Sequence, residues 1–191
     1  MTQEVTSVIS LLLRMRPTLA KIWAYSPTSS MQGSDQRDTA VQYFRQAYAL
    51  QMQGEYQKAI ELYTRSIEAY PTAEAYTFRG WSYSFLGDYK TAIEECLKAI
   101  KVDPDFGNPY NDIGAYLIEQ GKLIEAGPWL ERATFAPRYE SYCFPWFNLG
   151  RVYEKRYEWE KARQCYARAL EESSDYKIAA VALKKLKIMW N

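Results

Sequence analysis

AEAYTFRGWSYSFLGDYKTAIEECLKAIKVDPDF, residues 73–106, holds one full period of a helical pattern. Tyr76, Arg79, Gly80 and Tyr83 recur at helical spacing and share one face. Gly87-Asp88 then breaks the helix, because glycine readily takes the left-handed conformation that ends one. Ala92, Ile93, Cys96, Ala99 and Ile100 make a second apolar face on the returning helix. Asp103-Pro104 stops that helix, since proline has no amide hydrogen to continue the ladder. The stretch therefore predicts two antiparallel helices joined by a tight turn.

Outward from Gly87, the same arrangement returns at Gly54, Gly121 and Tyr157, at spacings of 33, 34 and 36 residues. Seven residues before these anchors stand Ala47, Gly80, Gly114 and Gly150, all small. Two residues after them stand Tyr56, Tyr89, Leu123 and Trp159, all large. Five after come Ala59, Ala92, Ala126 and Ala162, and twelve after come Ser66, Ala99, Ala133 and Ala169. Pro71, Pro104 and Pro137 close the first three units; Ser174 takes that place in the fourth. Small side chains let two helix backbones approach closely, and each unit alone leaves an apolar face uncovered. Stability must then come from stacking neighbours.

This pattern resembles the tetratricopeptide repeat. The second unit carries it in Gly80, Tyr83, Gly87, Tyr89, Ala92, Ala99 and Pro104. The third carries it in Gly114, Gly121, Ala126 and Ala133. The fourth does so in Trp146, Leu149, Gly150, Tyr153, Trp159, Ala162, Tyr166 and Ala169. Tyr43, Tyr56, Ala59, Tyr63 and Pro71 mark the first, where Ala47 replaces the usual glycine. The resemblance implies an all-α fold, a right-handed α-solenoid of antiparallel helix pairs, whose concave groove binds peptides or helices of other proteins. It implies a non-enzymatic protein. The expected organisation is an amphipathic helical segment over 1–25, a flexible linker over 26–37 and four units within 38–176. The units span about 40–72, 73–106, 107–142 and 143–176, and a capping helix covers 177–191.

Composition supports binding over catalysis. The 191 residues carry 24 basic and 23 acidic side chains, so charge alone gives no reason to expect nucleic acid as a partner. Histidine is absent, which excludes imidazole acid–base chemistry, Ser-His or Cys-His nucleophiles and any zinc site needing an imidazole. No phosphate-binding glycine loop or metal-ligand cluster stands out, so no cofactor, metal or catalytic residue is expected. Cys96, Cys143 and Cys165 form no disulfide framework and read as free thiols of a reducing, cytoplasmic setting. A thiol-dependent redox or transfer enzyme is the rival class, with Cys143, beside the longest inter-unit link, as its candidate. The apolar run over residues 8–13 is too short to span a membrane, and the arginines after it do not suit a signal peptide.

In the implied fold the groove is lined by the first helix of each unit. The inward stripe lies thirteen, ten, six and three residues before each anchor. From it come the expected partner contacts: Phe44, Tyr48, Thr77, Trp81, Asn108, Asn111, Phe144, Phe147 and Arg151. Bulky aromatics on a solvent-facing surface are characteristic peptide anchors; the alternative is that some of them pack beneath a neighbouring unit. Relatives that grip the carboxylate tail of heat-shock chaperones use lysine, asparagine and arginine across three units. The matching positions here are Phe44, Tyr48, Phe78, Asn108 and Asp112, or one unit along Thr77, Trp81, Asp112, Phe144 and Asn148. Neither frame supplies a cation, so no such clamp is expected.

Charge is uneven along the chain. Residues 1–37 carry net +2, residues 38–142 net −5 and residues 143–191 net +4, a pattern that can steer a complementary partner or simply solvate outer faces. Gly127-Pro128 falls in the third unit's second helix, where proline should bend it. Residues 3–24 have an apolar face containing Val8, Leu12 and Leu13, beside Arg14, Arg16 and Lys21. Docking on the solenoid is the favoured reading; self-association and a membrane-peripheral anchor stay open, although one short helix with few cations binds membranes weakly.

Overall fold

The computed structural model describes residues 31–189. Expectations for residues 1–30, both the apolar segment and the first five residues of the linker, lie outside the described residues. Nine helices follow in order among the described residues: α1 (Met31–Met52), α2 (Tyr56–Ala69), α3 (Ala73–Phe85), α4 (Tyr89–Val102), α5 (Asn108–Glu119), α6 (Leu123–Thr134), α7 (Cys143–Lys155), α8 (Trp159–Glu172) and α9 (Lys177–Met189). Each odd helix packs on the even helix after it, and each pair packs on the next. Residues 31–37, expected as linker, are instead the first turns of α1. Gly33 and Ser34 suggested a tether, but a single glycine costs a helix only about 1 kcal/mol.

The repeated positions explain why the pairs close. Ala59, Ala92, Ala126 and Ala162 are fully buried, and so are Ser66, Ala99, Ala133 and Ala169. Ser66 is tolerated there because its hydroxyl donates to the Ala40 carbonyl oxygen at 2.8 Å. A Cβ built on Gly80 would stand 3.1 Å from the Ala92 carbonyl oxygen; on Gly114 it would stand 2.4 Å from Leu130. Thr72 and Asp88 cap α3 and α4 by accepting hydrogen bonds from the amides of Ala75 and Thr91. The α6 helix continues through Pro128.

All four anchors share one backbone geometry. Gly54, Gly87 and Gly121 have φ of 82°, 82° and 76°, and Tyr157 reaches 62° without the freedom of glycine. Left-handed backbone costs a side-chain-bearing residue about 1 kcal/mol. The exposed Tyr157 makes one ring contact, edge-on to Trp159. Tyr157→Gly is therefore expected to raise unfolding stability by up to about 1 kcal/mol, measured by urea titration; a loss of stability would show that the ring contact outweighs the strain.

The third unit's long link is folded back. The Arg138 amide donates to the Asp105 carbonyl, and the Arg138 carbonyl accepts from the Gly107 amide, both at 3.0 Å. The Arg138 guanidinium lies 4.2 Å from the Phe106 ring centroid and pairs with Asp103 at 2.5 Å and with Glu74 at 2.7 Å. A Cβ at Gly107 would meet Tyr139 at 2.6 Å. The link before the third unit and the link after it are thus bound to each other.

Candidate partner-binding face

The first helices α1, α3, α5 and α7 carry the inward stripe, and the structure separates its residues by depth. Of the nine expected contacts, Phe44, Thr77, Trp81, Asn111, Phe144 and Phe147 are only 0–8 % exposed. They are corrected from open groove residues to enclosed ones that pack or hydrogen-bond within the solenoid. The Phe44 ring meets Tyr63 and Phe78 with centroids 5.4 and 5.2 Å apart. Thr77 donates to the Ala73 carbonyl oxygen at 2.7 Å. Phe144 and Phe147 each meet Tyr176, at 5.4 Å. Tyr48, Asn108 and Arg151 remain partly accessible.

A polar ladder crosses the junctions at this level. The Trp81 indole N–H donates to Asp112 Oδ2 at 2.6 Å, joining α3 to α5. The Asn148 amide donates to Asn111 Oδ1 at 3.0 Å, joining α7 to α5. Arg151 donates to Asn148 Oδ1 at 3.2 Å and pairs with Glu119 at 2.7 Å. Lys185 of α9 pairs with Glu154, which also accepts from the Tyr166 hydroxyl. Burial pushes the Asp112 carboxyl up to about 7, against partial relief from its bonds to Trp81 and Asn111. Sequence reasoning met Asp112 and Asn148 only as failed clamp positions. Their signal was polarity nine residues before an anchor, where the second unit has Phe78.

The three thiols are buried. Burial raises Cys143 and Cys165 to about 11 and moves Cys96 well upward. A thiol that stays protonated is a poor nucleophile. Among the described residues no group of three or more Cys, Asp or Glu side chains is placed to hold a metal ion, and no helix is long and apolar enough to cross a membrane.

Fold and ladder together define the class: an all-α helical-repeat solenoid whose helix pairs close by small-residue packing and whose units are joined by inner-face polar bonds. The tetratricopeptide-repeat profiles match residues 40–73, 73–106 and 143–176, just over half the chain. The chain belongs to the tetratricopeptide-repeat family. It is 36% identical over 73 residues to small glutamine-rich tetratricopeptide repeat-containing protein 2 of Mycosarcoma maydis, covering 38% of this chain and 21% of that one. With heat shock protein STI1 of Saccharomyces cerevisiae it shares 33% identity over 90 residues, 46% of this chain and 15% of the other. The chain thus spans between 15% and 21% of these relatives' lengths.

Among solved structures, Pseudomonas aeruginosa pilF superposes with a TM-score of 0.73 at 22% identity, over 81% of this chain and 68% of that one. YrrB, described as a tetratricopeptide-repeat protein with an unusual peptide-binding site, gives 0.61 at 19% identity, over 76% and 74%. These likenesses establish the same superhelical fold.

Proposed function

We propose that this protein is a non-enzymatic adaptor that holds a peptide or helix of another protein against its inner face, without a chaperone-type carboxylate clamp. The carrying observation is that Tyr48, Asn108 and Arg151 stay partly accessible on three of the first helices, while the other six expected contacts are buried. An aromatic ring, a carboxamide and a guanidinium spaced over units one, three and four suit a polypeptide that needs apolar contact and main-chain hydrogen bonds. The peptide-binding site ascribed to YrrB supports the reading by analogy of fold. Buried thiols with raised pKa values weigh against the redox-enzyme alternative. In this proposal the four units within residues 38–176 form the binding body, α9 caps it, and the setting is cytoplasmic.

Affinity capture from native lysate tests the proposal, with Tyr48→Ala/Arg151→Ala compared against wild type. Loss of one aromatic and one arginine anchor is expected to weaken partner retention at least about tenfold. Phe135→Ala, at an exposed site outside the inner stripe, should retain partners fully. Equal retention by the double variant would remove the inner face as the binding surface.

A further inference from the structure

We infer that Asp112, bonded to Trp81 across the junction of the second and third units, is a proton-sensitive latch whose ionisation lowers the stability of the fold. Asp112 has no exposed surface, and its described hydrogen bonds come only from neutral donors. Trp81 Nε1 donates to one oxygen at 2.6 Å, and Asn111 Nδ2 donates to the other at 3.4 Å. Among the described residues no ion pair reaches it. Arg151, the guanidinium on the inner stripe, is engaged by Glu119 and Asn148 instead. The other titratable groups facing Asp112 offer no positive charge: Cys96 from α4, Tyr116 from α5 itself and Tyr139 from the link before α7. Glu95 stands behind Cys96 and is held by Arg79 and Lys98.

A buried carboxylate without a cation is costly, and although the indole and amide bonds favour the charged form, desolvation outweighs them, so ionisation destabilises the junction of α3 and α5. The unfolded carboxyl titrates near its ordinary 3.8, whereas burial in the fold holds the proton to about 7. The folded state therefore binds the proton more tightly than the unfolded chain. The latch's contribution to stability is full below about pH 4 and is lost as pH rises through about 7.

The test uses the full chain with isotope labels. The Trp81 indole N–H resonance, assigned by its absence in Trp81→Phe, and the Asp112 carboxyl carbon resonance are followed from pH 5 to 9. Both are expected to shift together with a midpoint near 7, and thermal unfolding should fall by several degrees over pH 5 to 8. In Asp112→Asn the indole resonance and the unfolding temperature should stay level. A carboxyl carbon that does not titrate in this range would overturn the latch, as would an indole shift that persists in Asp112→Asn. Should that variant fail to fold, the wild-type carboxyl and indole titrations decide the matter alone.

Discussion

Phe78→Ala is expected to destabilise the protein by about 3–5 kcal/mol, the range for removing a buried aromatic ring. Phe78 is 1 % exposed and stands where units one and two meet. Its ring lies 5.2 Å from Phe44, 5.7 Å from Tyr48, 6.3 Å from Tyr63 and 4.9 Å from Trp81, all between centroids. Deletion leaves a cavity walled by four large rings, which cannot all close inward at once. A domain stable by about 5–15 kcal/mol would lose about a fifth or more of that margin. Urea unfolding measures the change. A loss below about 1 kcal/mol would mean that the four rings collapse into the space, contrary to the packing described.

Gly150→Ala should cost about 1–3 kcal/mol through overpacking by one methyl group. The added Cβ would stand 2.4 and 2.5 Å from two ring carbons of Tyr166. That ring cannot swing aside easily: it is 1 % exposed, its hydroxyl donates to Glu154, and it packs 5.5 Å from Phe147. Gly87→Ala makes an instructive comparison. A Cβ there meets nothing within 4 Å, so its cost of about 1 kcal/mol would arise from the φ of 82° alone. The two glycines are kept for different reasons, one for space and one for backbone angle. Equal stability of Gly150→Ala and wild type, read by thermal unfolding, would contradict the close approach of α7 and α8.

Much of this architecture was legible in residue spacing. Small side chains at fixed distances from the anchors identified the tight helix contacts, and every alanine five residues after an anchor proved fully buried. The inner face was legible in direction but not in depth. Spacing shows that Trp81 and Phe147 point inward; it does not reveal that Asp112 of the next first helix covers the one, or Tyr166 and Tyr176 the other. Asp112 binding Trp81, 31 residues away, follows from the rotation between units, which no one-dimensional pattern encodes. The start of α1 was missed for a local reason, since the composition of residues 31–37 gives weak helix and weak loop signals alike.

The folded-back link has a consequence for how the array comes apart. In a helical-repeat stack each unit ordinarily touches only its neighbours, so an end can fray while the middle persists. Arg138 adds to the contact between two such neighbours: from the third unit's closing link it reaches Glu74, 64 residues earlier at the start of the second unit. The third unit is therefore enclosed within a loop fastened at both ends. Releasing the third unit must break the bonds to Glu74 and Asp103 as well as the helix packing, which ties its unfolding more closely to that of the second unit.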